Sequence, residues 1–357
     1  MGYFSEHYKT LAYPRAIGEL PGLRNAQLGA VHALGAHFTL FAEEPALVTL
    51  PTGTGKTAVI VIAPYLLSAK RVLVLTSSVL VRGQISDEFA KLTTLKEIGV
   101  LSSGTPAPKV RTIRGPIKST DEWKNLANYD VVVGLPNSIN EGLADNIDAP
   151  ADLFDLLVVD EAHHVPAFTW TEIIKKFDVA RKVYCTATPF RRDRKEIRAR
   201  NTYSYSVAKA YEDGVFGSIG YHPVLADPAD KDLALAVSIE AAFNKDRDEG
   251  LSHLVMVRTD SKTEASTLEA LYAENTKLRL KRVDSTQSYR TIQKVISELK
   301  NGDLDGIICV DMLGEGFDLP QLKIAALHSP KKSLAATLQL IGRFARTNAE
   351  NIGEAKF

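Results

Sequence analysis

One run of residues in the sequence has the composition and spacing of a phosphate-binding loop. Residues 51–57, PTGTGKT, follow an apolar segment that ends at Leu50 and precede a helical segment that begins near Ala58. Glycines let backbone N–H groups face phosphate oxygens, and the N-terminus of the next helix adds positive potential. The strict pattern has glycine where Leu50 stands, but the groups that the chemistry needs are retained. The residues predicted to hold a nucleotide are Thr52, Gly53, Thr54, Gly55, Lys56 and Thr57. Lys56 is predicted to bind the β and γ phosphates, and Thr57 is predicted to bind Mg²⁺.

Two adjacent carboxylates follow a second apolar segment. In the sequence VVDEAHH, Asp160 and Glu161 come directly after Val159, where a strand is predicted to end. Ligands of open α/β folds bind at the carboxyl ends of strands. We therefore predict that Asp160 holds Mg²⁺ and that Glu161 accepts a proton from an attacking water. The neighbouring His163 and His164 lack the HExxH or CxxC partners of a zinc site, which makes zinc ligation the weaker interpretation.

Two further groups of polar residues carry possible chemistry. Thr186 and Thr188 follow another apolar segment, at the same predicted sheet edge, although turn capping is the simpler explanation of this pair alone. Near the C-terminus, Arg343 and Arg346 are three residues apart and share one face of a predicted helix. Such a pair usually lies on a solvated face or donates ion pairs. Combined with a phosphate loop in another domain, it is predicted to neutralise charge that develops as the γ-phosphate is cleaved.

Alternating apolar and helical segments must position these residues. Short β-branched runs recur with helical stretches between them, which indicates parallel strands buried on both faces by helices. The predicted fold class is α/β with two tandem units, separated by a segment rich in tyrosine, glycine and proline. We predict a first domain over 1–204, a linker over 205–230 and a second domain over 231–357. The second domain is expected to end after a helix and before a closing strand, which indicates part of a longer protein.

Composition excludes several classes of protein. The chain has 357 residues, 45% of them hydrophobic, which indicates a folded protein of about two domains. Its 43 basic and 43 acidic residues cancel, so any nucleic-acid surface must be local. Cys185 and Cys309 lie far apart without CxxC spacing, which favours a reducing cytoplasm over a disulfide scaffold. The longest apolar stretch, Ala58 to Ala69, contains Pro64 and is too short to cross a bilayer, so no membrane association is predicted.

Taken in chain order, these residues resemble the motifs of superfamily 2 helicases and translocases. The series also includes Gln27, the TSS sequence at 76–78 and the GEGFD sequence at 314–318, and it extends over essentially the whole chain. The DEAHH spelling, TPFR at 188–191 and EGFDLP at 315–320 are more similar to the type III restriction and DNA-repair branch than to DEAH-box RNA helicases. The resemblance implies two RecA-like domains with ATP and Mg²⁺ in the cleft between them.

The resemblance also implies a role for each motif residue. Gln27 is expected near the adenine, and Gly316 and Asp318 are expected to approach the nucleotide from the second domain. Arg343 and Arg346 are expected to meet the γ-phosphate. The residues expected to couple the nucleotide site to a nucleic-acid path are His163, Thr186, Thr188 and Gln339.

Nucleic acid is expected to cross the top of both domains. The candidate contacts are Ser77, Arg82, Ser138 and Arg258, chosen by their position in motif-like segments. Polar side chains that simply face solvent would explain these residues equally well. A basic stretch over 191–200 is a second candidate, with an exposed helix face as the alternative. We find no sequence insertion suited to separating strands and no nuclease motif, so translocation is favoured over unwinding.

The sequence therefore predicts the ATP-driven motor core of a DNA translocase or helicase that serves restriction, antiviral defence or repair. Its expected partners are nucleic acid, with DNA favoured over RNA, and a nuclease or other effector domain or subunit. Two alternatives stay open. One is an RNA-dependent remodelling ATPase, and the other is a nucleotide-gated scaffold that closes without turnover. Glu161 and Arg346 argue against the scaffold, because both serve hydrolysis.

Overall fold

Two parallel β-sheets, one in each half of the chain, organise the fold. The computed structural model describes residues 2–357 except for 142, 144–146, 148, 166, 189–196, 285, 311–318, 330–336, 338–341 and 348–350. The chain divides into two units, Met1–Ala210 and Tyr211–Phe357.

The sheet of the first unit has seven strands within the described residues. In chain order they are β1 (Ala46–Thr49), β2 (Val72–Leu75), β3 (Val110–Thr112), β4 (Val131–Gly134), β5 (Leu156–Val159), β6 (Arg181–Thr186) and β7 (Arg200–Ser204). Their order in space is β3-β4-β2-β5-β6-β1-β7, and every pairing in this sheet is parallel. Strands β1, β2, β4 and β5 are buried along their whole length, as continuous apolar runs predict.

Helices and short turns connect these strands. The helices are α1 (Tyr3–His7), α2 (Asn25–Leu40), α3 (Lys56–Leu66), α4 (Val79–Lys91), α5 (Thr93–Glu97), α6 (Thr120–Asn125), α7 (Pro136–Glu141), α8 (Phe168–Lys176) and α9 (Val207–Glu212), with 3-10 turns at Tyr8–Thr10, Leu126–Asn128 and Ala162–His164. Ser78 caps α4 by accepting the Val81 N–H at 3.2 Å. Because parallel strands are joined by such crossovers, their carboxyl ends meet at one edge of the sheet.

The core of the first unit includes a cluster of aromatic side chains. Phe177 packs against Phe154 and Trp123, with ring centroids 5.2 and 5.9 Å apart, and all three side chains are fully buried. The Phe154 and Phe177 rings meet edge to face, at an interplanar angle of 80°, and such packing adds stability beyond the area that the rings bury. The cluster anchors the segment after α8 against the strands that lead to the predicted catalytic residues.

The second unit repeats the same layering on a smaller scale. Its described strands are β8 (Ile219–Gly220), β9 (Leu254–Thr259), β10 (Leu280–Val283), β11 (Gly306–Val310), β12 (Leu322–Leu327) and β13 (Ala355–Lys356), in the spatial order β10-β11-β9-β12-β13-β8. The helices are α10 (Lys231–Asp248), α11 (Lys262–Asn275) and α12 (Tyr289–Lys300). Apolar residues of α10 and α11 form one buried cluster with the central strands β9, β11 and β12.

The structure confirms the predicted α/β class with two tandem parallel sheets, and it differs from the sequence analysis at two short strands. The expectation that the chain stops before a closing strand was wrong, because Ala355–Lys356 pairs with both β12 and β8. The segment 205–230 contains α9 and β8 as well as irregular backbone. Two-residue strands carry too little alternation to be recognised in a sequence. Among the described residues, no helix has the length and apolar character needed to span a membrane.

Candidate active site

The phosphate-loop residues lie between the end of β1 at Thr49 and the start of α3 at Lys56. Gly53 and Gly55 have φ values of 90° and 92°, a region of backbone conformation that glycine adopts without steric cost. Thr54 is fully buried, and its hydroxyl and backbone N–H both donate to the Pro51 carbonyl, at 2.7 and 3.2 Å. The turn is therefore fixed by its own hydrogen bonds at the N-terminus of α3.

The first turn of α2 braces this loop from the side. The Gln27 Nε2 amide donates to the Gly55 carbonyl at 3.2 Å, and its Oε1 atom accepts the Arg24 N–H at 2.8 Å. The Arg24 guanidinium donates to the Gly53 carbonyl at 3.0 Å. Gln27 thus lies at the phosphate loop, and its two ends are engaged by the loop and by its own helix. Sequence analysis missed Arg24, whose one signal is its position three residues before Gln27.

Lys56 lies between the two predicted catalytic carboxylates. Its Nζ atom is 2.9 Å from Asp160 Oδ1, and it also forms an ion pair with Glu161 Oε1. Burial by itself lowers the pKa of Lys56, but the two carboxylates outweigh that cost and raise it above its ordinary value. Burial, the largest single influence, raises the pKa of Glu161, but the combined effects of Lys56 and His163 outweigh it and hold the pKa well below its usual range. Lys56 is therefore an ammonium and Glu161 a carboxylate at neutral pH.

Glu161 occupies an unusual backbone conformation. Its φ of 53° lies in the left-handed region, which costs about 1–3 kcal/mol for a residue with a side chain. Its N–H donates to Asp160 Oδ1 at 3.0 Å, and a 3-10 turn begins directly after it at Ala162. This geometry allows two consecutive carboxylates to converge on one ammonium, although consecutive residues of an extended strand point to opposite faces.

Three of the four predicted coupling residues lie together. The His163 Nδ1 atom is 3.3 Å from Glu161 Oε2 and 3.2 Å from Thr186 Oγ1. The Thr186 hydroxyl donates to the Thr188 carbonyl at 2.9 Å and accepts the Thr188 N–H at 3.1 Å. A continuous set of contacts therefore leads from Lys56 to the end of β6. The fourth coupling residue, Gln339, lies outside the described residues.

The predicted magnesium ligands supply a hydroxyl and a carboxylate. Thr57 is exposed on the first turn of α3, and Asp160 contacts Lys56, the residue that precedes Thr57. Mg²⁺ in nucleotide sites takes one or two protein oxygens and completes its shell with phosphate and water oxygens. This donor set fits that pattern. Across the part of the chain that the structure describes, no group of three or more His, Cys, Asp and Glu residues is arranged to hold a metal ion by itself.

The predicted arginines of the second unit are both buried. Arg343 is 2% exposed and Arg346 is 8% exposed, and residues 342–344 are helical. The prediction that Arg343 and Arg346 share one face of a helix was wrong, because the helical residues end at 344 and the backbone of Arg346 forms an antiparallel bridge with Phe216. Gly316 and Asp318, the predicted nucleotide contacts of this unit, lie outside the described residues, as do residues 191–196 of the basic stretch over 191–200.

The candidate nucleic-acid contacts occupy the ends of strands or the helices that follow them. Ser77 follows β2, and Ser138 lies in α7, which follows β4. Arg82 is 8% exposed and donates to the Ile113 carbonyl at 2.9 Å, and burial lowers its pKa. Arg258 is 4% exposed and binds the Ser329 carbonyl at 2.8 Å and Asp260 Oδ1 at 2.5 Å. Both guanidinium groups are thus engaged by groups of their own units.

Comparison with known families supplies the context for this geometry. Residues 21–191 match the model of the type III restriction enzyme res subunit, and residues 236–348 match the helicase conserved C-terminal domain. The chain is a superfamily 2 ATP hydrolase, on the branch of the type III res subunit. The first match covers the phosphate loop and both carboxylates of the ATPase, and the second covers its paired arginines.

Solved structures share the fold at low sequence identity. The ATP-dependent type ISP restriction-modification enzyme LlaBIII, bound to DNA, has a TM-score of 0.62 at 18% identity, and the match covers 96% of this chain and 28% of LlaBIII. Dbp5 of S. cerevisiae, bound to RNA and ADP BeF3, has a TM-score of 0.60 at 14% identity, and the match covers 94% of this chain and 88% of Dbp5. These matches confirm two tandem RecA-like domains.

One curated relative aligns with part of the ATPase. A 51.5 kDa protein of Lactococcus phage (isolate 7-9) is 22% identical over 202 residues, which are 52% of this chain and 44% of the phage protein. The ATPase thus aligns with less than half of this relative and with less than a third of LlaBIII.

Proposed function

We propose that this ATPase is the motor core of a DNA translocase that hydrolyses ATP to ADP and phosphate as it moves along DNA. It serves restriction, antiviral defence or repair in the cytoplasm, together with a nuclease or other effector domain or subunit. The observation that carries the proposal is the continuous set of contacts from Lys56 through Glu161 and His163 to Thr186. These contacts connect Lys56, which is suited to holding phosphate, with the edge of the sheet that is suited to holding a nucleic-acid strand.

The chemical step follows from the ion pair between Lys56 and Glu161. The N-terminus of α3 and the loop N–H groups bind the phosphates, and Thr57 and Asp160 would hold Mg²⁺, which would neutralise phosphate charge when bound. Lys56 moves from Glu161 to the β and γ phosphates. Because Lys56 is the largest influence that lowers the pKa of Glu161, its departure makes that carboxylate a stronger base. Glu161 then accepts the proton of the attacking water.

The second unit completes the site in this proposal. Arg343 and Arg346 reach the γ-phosphate when the units close, and they offset the charge that develops as it leaves. Gly316 and Asp318 approach the nucleotide from the same unit, and Gln339 joins the coupling residues. In the first unit Gln27 lies beside the adenine and keeps the loop in its binding conformation through Gly55.

Contact with nucleic acid is proposed to run through the sheet edges of both units. Ser77 and Ser138 offer hydroxyls to phosphate oxygens, while Arg82 and Arg258 hold the neighbouring loops at Ile113 and Ser329 in place and approach the backbone of the strand. Contacts of this kind fix position without reading bases, so activity is independent of sequence. The match to the type III res subunit and the DNA in the LlaBIII structure favour DNA over RNA.

The proposal is tested by steady-state ATP hydrolysis with no nucleic acid, with double- and single-stranded DNA of arbitrary sequence, and with RNA. We expect DNA to raise kcat more than RNA does. We also expect the affinity of the chain for DNA to fall as the salt concentration rises from about 50 to about 200 mM. The Glu161→Gln protein is the control for contaminating ATPase. Greater stimulation by RNA would replace the proposal with an RNA-dependent remodelling ATPase. ATP binding without turnover under every condition would leave a nucleotide-gated scaffold.

A further inference from the structure

A lysine is buried at the start of a central strand in the second unit. Lys323 is the second residue of β12, its exposed fraction is 1%, and its neighbours Leu322 and Ile324 are fully buried core residues. The nucleotide chemistry proposed above does not use it. A buried ammonium is costly unless its hydrogen-bonding capacity is met, so a lysine at this position calls for a physical reason.

The partners of Lys323 are two main-chain carbonyls of one segment. Its Nζ atom donates to the Phe344 carbonyl at 2.8 Å and to the Arg346 carbonyl at 2.5 Å. Phe344 is the last of the helical residues 342–344 and Arg346 lies two residues beyond it, where carbonyls have lost their helical partners. An ammonium at this end of a helix satisfies those carbonyls and also opposes the negative end of the helix dipole.

The same segment is held from a second side. Gly217 donates its N–H to the Ala345 carbonyl at 2.6 Å, so the carbonyls of three consecutive residues, 344–346, each accept a hydrogen bond. The Thr347 hydroxyl donates to the Gly214 carbonyl, also at 2.6 Å. The backbone that carries Arg346 is therefore fixed between β12 and residues 214–217, the segment through which the chain enters the second unit.

We propose that Lys323 is a positioning residue for Arg346: its ammonium holds the two carbonyls that flank this part of the backbone, so that the guanidinium is presented in one orientation. The inference rests on the proposed function, in which Arg346 meets the γ-phosphate. A catalytic group must be held within about 0.5 Å of its productive position. Because Lys323 binds the main chain of Arg346 itself, a shift of this anchor displaces the guanidinium directly.

The test uses the full chain and compares Lys323→Met with Lys323→Arg. Methionine keeps the length and packing of the side chain without its donors, whereas arginine keeps donors and charge. The measurements are kcat and KM for ATP with saturating DNA, affinity for a fluorescent ATP analogue, and the thermal unfolding midpoint. The matched control is Ile324→Val, which weakens the core on the same strand without touching the Arg346 backbone.

We expect Lys323→Met to lower kcat about tenfold, with KM and analogue affinity little changed, as for a group that acts in the transition state. Lys323→Arg should recover part of kcat, and Ile324→Val should lower the unfolding midpoint without lowering kcat. The decisive measurement repeats Lys323→Met in an Arg346→Lys background, where it should cause little further loss of kcat because the residue that it positions has already been changed.

The outcomes separate this inference from the proposed function. If Arg346→Lys hydrolyses ATP at the parental rate, the assignment of Arg346 fails and the inference fails with it. If Arg346→Lys is impaired but Lys323→Met keeps the parental kcat, only the inference fails. If Lys323→Met lowers kcat by the same factor in the parental and the Arg346→Lys backgrounds, Lys323 has only a structural role. The same conclusion follows if Ile324→Val has the same unfolding midpoint as Lys323→Met and loses as much kcat.

Discussion

The Glu161 carboxylate accepts a hydrogen bond from the Lys56 ammonium, so the predicted general base and the predicted phosphate ligand are direct partners. Both side chains are largely buried, and Asp160 lies 2.9 Å from the same ammonium. One positive charge thus stabilises two negative charges in a site shielded from water. Removal of the ammonium, or of the carboxylates, leaves an uncompensated buried charge, which is more costly than the loss of the ion pair alone.

The first prediction concerns the stability of the Lys56→Ala protein. Its nucleotide binding should be lost, and its free energy of unfolding should fall by about 3 kcal/mol because two buried carboxylates lose their counter-charge. Urea unfolding measures the change. Adding Glu161→Gln should return part of the lost stability, since one of the two uncompensated charges is then removed. Simple additivity of the two substitutions would contradict the electrostatic account.

The second prediction separates binding from chemistry at Glu161. Glu161→Gln should lower kcat by about 10² to 10⁴-fold, the usual contribution of a general base, with little change in ATP affinity. Single-turnover hydrolysis and equilibrium binding of an ATP analogue provide the two measurements. A parallel loss of affinity would make Glu161 a structural or metal-binding residue.

The convergence of these residues was predictable, whereas their detailed contacts were not. Strands β1 and β5 are recognised from their apolar sequences, and the rule that parallel strands share a carboxyl edge brings Lys56 close to Asp160 and Glu161. The left-handed φ of Glu161 was not predictable, because residues other than glycine adopt it only under tertiary constraint. The contact of Arg24 with Gly53 was also not predictable, since no short-range pattern specifies it.

The third prediction concerns Gly55, where conformation and space both exclude a side chain. A Cβ atom there would lie 2.1 Å from Gln27 Nε2, in addition to the strain of a φ of 92°. Gly55→Ala should therefore destabilise the first unit by about 1–3 kcal/mol and weaken ATP binding. Urea unfolding and analogue binding check both effects. In a Gln27→Ala background the clash with the Gln27 side chain disappears while the backbone strain at residue 55 stays, so part of the lost stability should return. If Gly55→Ala costs the same stability in both backgrounds, the contact with Gln27 is not the cause.

Lys323 illustrates a second limit of sequence-based prediction. In an alternating strand pattern a lysine is expected to face solvent, and nothing near LKIAAL indicates that its ammonium is buried under the Arg346 segment. That contact joins residues 23 positions apart through tertiary packing. Strands β8 and β13 have the same limitation, because their pairing depends on neighbours and not on their own two residues.

The fourth prediction is a pH dependence of stability that originates at Lys323. Burial lowers its pKa from the ordinary 10.5 to about 8. The buried ammonium therefore costs stability below pH 8, and this cost is relieved as pH rises from 8 to 10.5. Relative to Lys323→Met, the parental chain should gain about 2 kcal/mol between pH 7 and 10.

Urea unfolding at a series of pH values measures this gain, and Ile324→Val is the control that should follow the parental pH dependence. His253 interacts electrostatically with Lys323, and it is bonded to Asp246, which also binds Lys356. Lys323→Met also changes the surroundings of His253, but burial keeps the pKa of that imidazole below its ordinary 6.5, so the comparison between pH 7 and 10 isolates the lysine. Parallel stability curves for the parental chain and Lys323→Met would contradict the prediction.

The last prediction tests whether the contacts that leave Glu161 carry the response to nucleic acid. Thr186 joins His163 to Thr188 through its hydroxyl, and Thr186→Val removes that hydroxyl while keeping the shape of the side chain. We expect the DNA-stimulated rate to fall about tenfold or more and the basal rate to fall much less, because the coupling free energy between the two sites is reduced. By reciprocity, a non-hydrolysable ATP analogue should change DNA affinity less in the variant than in the parental chain. Thr202→Val is the matched control, since Thr202 makes a threonine–histidine contact of the same 3.2 Å length with His37 outside the proposed site. If both variants respond to DNA as the parental chain does, coupling passes through other residues.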